Sequence, residues 1–184
     1  MLLRKKVEGY VNILGGKVDI TDPCYDYCSG YRINNVSVKP GDYRCVYHMG
    51  AALEEAEIEK TEKLAKEYGA NPEEWVRREQ DDIKNRCFVI EIQFKGRAFD
   101  LNSAKWEEIG SISVDAGLAG FFWNKPDFTD EQWNDFCDSL DDLSKNAYLE
   151  KNMGFWCSSG YGDGMYKVFA IKDKNEVIAL KICF

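Results

Sequence analysis

Hydrophobic positions recur every second residue over most of this chain, and every third or fourth in three short stretches. The pattern predicts a sheet protein that carries helices. EGYVNILGGKVDITDP (8–23) reads as two short strands in a hairpin around Gly15-Gly16, and Pro23, with no N–H to donate, ends the second. YDYCSGYRINNV (25–36) reads as loop. A Pro40-Gly41 turn leads into a strand from Tyr43 to Met49. CFVIEIQF (87–94) is mostly apolar and reads as a central strand. GSISVDAGLAGFFW (110–123) begins as a strand and breaks at Gly117 and Gly120. Residues 152–164 read as loop, followed by a terminal hairpin of strands 165–172 and 176–183 turned at Asp173–Asn175.

Between the strands at 43–49 and 87–94 the period changes. AALEEAEIEKTEKLAKEY (51–68) sets Glu59 against Lys63 and Glu62 against Lys66 at helical spacing. Its apolar stripe is thin (Ile58, Leu64, Ala65 and Tyr68), which predicts shallow packing on one side. Gly69 ends this helix, and a second starts with Asn71 as N-cap, Pro72 in the first helical position and Glu74 completing a capping box. Trp75, Val76 and Ile83 supply its buried side. Residues 51–86 therefore form a helical hairpin inserted between two strands. Thr129 and Gln132 open a third helix, whose Trp133, Phe136, Cys137, Leu140 and Leu143 face the core. The expected fold class is α+β: a single domain over 1–184, with a mostly antiparallel sheet, the inserted hairpin and one core-packing helix.

Composition narrows the function classes. A 45% hydrophobic fraction is enough to fill a core and argues against disorder. A net charge of −8 argues against general nucleic-acid binding, while leaving room for a local basic pocket that takes a small anion. No apolar run approaches the roughly 20 residues of a membrane helix, so no membrane partner is expected. MLLRKKVEGY lacks the apolar stretch of a secretory signal. The seven cysteines are odd in number and include no C-x-x-C, which predicts a reducing cytoplasm and no disulfide framework. Only Cys24-x-x-x-Cys28 comes near a zinc spacing, and it lacks partner ligands, so no metal is assigned. No particular cofactor is implied. A protein partner or a homo-oligomer stays open.

Candidate chemistry gathers in three glycine- or proline-marked turns. In SSGYGDGMYKVFAI (158–171), Gly160, Gly162 and Gly164 leave backbone amides bare beside Ser158, Ser159, Tyr161, Asp163 and Tyr166. Bare amides of this kind can cradle an anion, or the glycines can serve a bulged turn. The loop opens a strand rather than a helix, so the nucleotide fingerprints fail. Asp115, in VDAGLAG (114–120), either faces a pocket or caps its own turn. In TDPCYDYC (21–28), Asp22 starts a turn, and Tyr25 and Tyr27 can stack on a flat ligand. Tyr31, Trp123, Phe155 and Trp156 either join them or close the core. A Cys24–His48 pair would need contact that spacing does not show. The candidate ligand-binding set is Asp22, Tyr25, Asp115, Ser158, Ser159, Tyr161, Asp163 and Tyr166, and no catalytic residue is assigned.

ITDPCY, VKPGDYRC, ISVDAGLAGFF and SSGYGDGMYKVFAI together resemble domain of unknown function 4241, a family of bacteria and their phages. The likeness covers roughly 15–50 and 87–184 and leaves out the helical hairpin. It implies a small, intracellular, β-rich protein and no particular activity. The leading expectation is a non-enzymatic protein that binds a small, flat, anionic ligand, such as a nucleotide-like signal sequestered by a phage. Two alternatives stand beside it: a metal-assisted hydrolase using Asp22, Asp115 and Asp163, and a protein-interaction module docking through 51–86. All rest on the three turns meeting at one mouth of the sheet, or on the hairpin being free to dock.

Overall fold

The structure, a computed structural model, describes residues 1–25, 31–96, 103–125, 128–139 and 147–184, with the backbone alone at 130 and 133. The elements run β1 (Leu2–Ile13), β2 (Lys17–Thr21), β3 (Ile33–Ser37), β4 (Gly41–Ala52), α1 (Glu55–Glu67), α2 (Pro72–Ile83) and β5 (Cys87–Phe94). They continue with β6 (Glu107–Val114), β7 (Leu118–Phe122), α3 (Asp130–Ser139), β8 (Ala147–Glu150), β9 (Gly154–Ser158), β10 (Gly164–Asp173) and β11 (Glu176–Cys183). The fold is α+β, and its strands form two sheets rather than one. Their orders are β1-β4-β5-β11-β10-β6 and β3-β2-β7-β9-β8. Every ladder between these strands is antiparallel. No helix among the described residues is long and apolar enough to cross a membrane.

The sheets pack face to face. Tyr43, Cys45, Ile90, Ile92, Val168 and Leu180 of the first meet Val18, Ile20, Ala119, Phe121 and Phe155 of the second in one buried cluster. Period-2 alternation had marked which residues turn inward, but not that a second sheet, rather than helices, covers them. β5 is central, as its apolar run predicts, and the β10–β11 hairpin forms where expected.

Three strand expectations are corrected. β1 and β2 are not a hairpin: β1 pairs with β4 in the first sheet, and β2 with β3 and β7 in the second. The Gly15-Gly16 turn instead carries the chain across the sandwich, with Gly16 at φ 60 and its carbonyl accepting Val38 N at 2.9 Å. Gly120 does not break a strand but lies inside β7, opposite Thr21 and Trp156. A Cβ there would stand 2.4 Å from Trp156 Cβ, so this glycine permits close backbone approach rather than a turn. Two stretches read as loop also contain strands: β3 inside 25–36 and β9 inside 152–164, the latter buried over Gly154–Cys157.

The helices follow their local signals. Asn71 accepts Glu74 N and Pro72 opens α2, but the Glu74 carboxylate goes to Arg78 instead of closing the expected capping box; Gly69 follows α1 at φ 68. Thr129 and Gln132 close a reciprocal capping box on α3. The α1–α2 hairpin packs shallowly, burying Ala65 and Ile83, half-burying Trp75 and Val76, and leaving Leu64 and Tyr68 exposed. The core contact expected of α3 is made to a satellite cluster on the outside of the second sheet, where Phe136 meets Phe128 and Trp156. Leu140, Leu143 and the side chain of Trp133 lie outside the described residues.

Candidate functional site

The three turns come together, and hydrogen bonds join them directly. Asp22, fully buried past the end of β2, accepts Cys24 N on Oδ1 at 2.8 Å. Its Oδ2 accepts Asp115 N at 2.9 Å and Ala116 N at 2.8 Å from the β6–β7 turn. Gly117 N donates to Asp163 Oδ1 at 3.1 Å, and Gly117 O accepts Ser159 N at 2.9 Å, which binds the β9–β10 turn to the other two. Ser159 Oγ and Tyr166 OH both donate to Gly162 O, at 2.5 and 2.7 Å. Lys125 Nζ donates to Tyr25 O at 2.6 Å, and Ser113 Oγ donates to Tyr25 OH at 3.1 Å. Burial pushes the Asp22 carboxyl above its usual range, while the three backbone bonds and the Lys125 charge pull against that rise.

This geometry assigns structural work to most of the candidate residues. Asp22 and Asp163 are occupied by backbone amides. Asp115 contributes its N–H, and its side chain is exposed. Ser158 is an exposed ladder residue opposite Leu118. Ser159 and Tyr166 are buried, with the Tyr166 ring edge-on to Phe184 at 5.1 Å. Phe155 and Trp156 are core residues, Tyr31 is exposed, Trp123 is half-buried, and Tyr27 and Cys28 lie outside the described residues. Among the described residues, no group of three or more His, Cys, Asp or Glu is placed to hold a metal ion.

Cys24 and His48 are not brought together. Cys24 lies beside Cys137, while His48 sits on β4 with Nε2 3.2 Å from Glu91 Oε1 on β5. Gln93 bonds Glu91, and Arg44 bonds Gln93, so a polar ladder crosses the outer face of the first sheet. The sequence offered no signal for this ladder, because its members are far apart in the chain.

Tyr161 differs from the rest of its loop. It is 62% exposed and points away from the braced turns, edge-on to Phe88 at 5.6 Å, with the Arg86 guanidinium 5.6 Å from its ring centre. There it lines a cleft of about 830 Å³ whose other wall is the helical hairpin, including Leu64, Trp75, Arg78 and Glu79. Tyr68 stacks on Trp75 at 6.0 Å. The lining carries four carboxylates (Glu57, Glu79, Asp81 and Asp82) against three cations, Lys60, Arg78 and the Met1 ammonium, which bonds Glu57 at 2.9 Å. Arg78 is engaged by Glu74, Asp81 by Lys84 and Asp82 by Arg86. Tyr161 and Trp75 lie far apart in the chain, one in a stretch that reads as loop and the other on the buried side of a helix, so no local pattern joins them.

Fold and site thus define a two-sheet α+β protein with a braced triple turn and a cleft under an inserted helical hairpin. No protein-family model, curated protein or solved structure matches the chain.

Proposed function

We propose that this is a non-enzymatic protein that binds a small ligand in the cleft between the helical hairpin and Tyr161. One observation carries the reading: a loop tied to Gly117 through both Asp163 and Ser159 presents an exposed tyrosine to a cleft walled by Trp75 and Leu64. Its volume, about 830 Å³, falls within the roughly 300–1,000 Å³ of small-molecule sites. Aromatic walls favour a flat ligand. The excess of carboxylates over cations along the lining favours a neutral or cationic one over a nucleotide-like anion. A hydrolase built on Asp22, Asp115 and Asp163 has less support, because two of those carboxylates are committed to backbone amides.

The test is a thermal-shift screen of neutral, cationic and anionic aromatic compounds, followed by mass spectrometry of the recovered compound. Binding without turnover predicts stabilisation and intact ligand. At a hundred times its Kd a ligand adds about 2.7 kcal/mol of stability. Conversion of the compound would replace this reading with an enzymatic one, and failure of every class to stabilise the protein would remove it.

A further inference from the structure

Four of the six described cysteines form two close pairs that differ in access. Cys87 and Cys157 bring their sulfurs to 3.3 Å between β5 and β9, but both lie in the core, 1% and 0% exposed. Cys24 and Cys137 stand with sulfurs 3.8 Å apart, and each is half-buried, Cys24 against the satellite cluster. Ordered structure fixes both partners of this second pair. The Cys24 backbone is held by Asp22 Oδ1, and Cys137 follows Phe136, whose ring packs on Phe128 at 5.0 Å and on Trp156 at 6.0 Å.

We propose that Cys24 and Cys137 form a reversible thiol–disulfide site that staples α3 to the exit of β2. The site accepts a low-molecular-weight disulfide of the glutathione type as its oxidant. One cysteine, as thiolate, attacks a sulfur of oxidised glutathione, breaking that S–S bond and releasing one glutathione thiolate. The second cysteine, as thiolate, then attacks the protein sulfur of the mixed disulfide and expels the second glutathione. The protein loses two protons and two electrons, which the two departing glutathione sulfurs take up as one oxidised glutathione becomes two reduced molecules. The sulfur gap closes to about 2.05 Å in the product.

Selectivity follows from access: the core pair has no route to a bulky oxidant while the sandwich is closed. The rate follows from environment. Burial, the Asp22 carboxylate and the neighbouring Cys137 push the Cys24 thiol well above the ordinary thiol range. The site therefore responds to sustained oxidation rather than to a brief pulse, and it closes faster as pH rises. The staple would span 113 residues of chain, a long loop for which cross-linking strongly restricts the unfolded state. This inference is independent of the ligand proposed for the cleft.

The experiment exposes the native, reduced protein to oxidised glutathione, blocks residual thiols in denaturant, and maps peptides without reduction. A peptide pair joined through Cys24 and Cys137 is expected, lost on dithiothreitol treatment and absent from Cys24→Ser and from Cys137→Ser. The melting temperature of the oxidised wild type should rise by about 5 °C or more. The Cys87 and Cys157 peptides should carry only the blocking reagent. Wild-type protein that yields no such joined pair after prolonged exposure, or that joins Cys24 to Cys28 instead, overturns the proposal; this mapping requires no variant to fold.

Discussion

The Asp22 carboxylate reaches from the end of β2 to accept the backbone N–H of Asp115, 2.9 Å away and 93 residues further along the chain. A side chain that reads as a turn starter is thus the clamp between two turns, and the glycine loop is tied on through Gly117. The clamp exists because those amides sit at strand ends, where no ladder partner satisfies them, and the fully buried Asp22 carboxylate needs donors of its own.

Replacing Asp22 with alanine leaves three backbone donors without their acceptor. At about 1.5–3 kcal/mol for each hydrogen bond to a charged group, with water reaching these part-buried donors and recovering much of it, the loss should be about 3 kcal/mol. Urea unfolding checks this: the midpoint should fall with little change in slope. Asp22→Asn should fall between the two, because it keeps one acceptor oxygen.

Gly120→Ala places a methyl group 2.4 Å from Trp156 Cβ and 2.5 Å from Phe155 O. Backbone on the neighbouring strand cannot move aside without disturbing the β7–β9 ladder. A loss of about 2–3 kcal/mol is expected, visible as a lower melting temperature. An unchanged melting temperature would mean that the second sheet is looser than these contacts imply.

Glu91 makes stability depend on acidity. Burial raises its carboxyl pKa, but the bond to His48, the charges of His48 and Lys5, and the Gln93 bond outweigh that, and the net direction is down. A carboxyl depressed in the folded state contributes stability above its unfolded value, near 4.3, and that contribution fades as pH falls through the lower folded value. Glu91→Gln should therefore be less stable than wild type at neutral pH, with the difference narrowing steadily below about pH 4. Denaturation curves between neutral and acid pH decide it; a constant gap would remove the linkage.

Tyr161→Ala should separate binding from folding. The side chain is 62% exposed, so its loss should shift stability by no more than about 0.5–1 kcal/mol. Stabilisation by any ligand found in the screen should disappear. Retained binding in this variant and in Trp75→Ala would place the ligand outside the cleft.

Several elements were legible because their signals are local. Asn71, Pro72 and Glu74 announce the start of α2, and Thr129 with Gln132 the start of α3, within a single turn of chain. The three turns share the character of strand-end loops, but no sequence rule joins them; the hydrogen bonds through Asp22 and Gly117 do. Their purpose was not legible. Asp22, Asp115 and Asp163 read as equivalent candidates, yet the first is buried and clamped, the second lends its N–H, and the third accepts from Gly117. Gly120 read as a breaker because glycine in a turn and glycine at a close strand contact are identical in sequence.

Alone, the sequence determined the periods of the strands and helices, the caps and the inserted hairpin, since each depends on residues within a few positions of one another. Tertiary structure decided which sheet each strand joins, that the Gly15-Gly16 turn crosses the sandwich, and that Tyr161 and Trp75 share a cleft. Those outcomes depend on pairing energies between distant segments, where one strand's choice of partner is set by every other strand competing for the same edge.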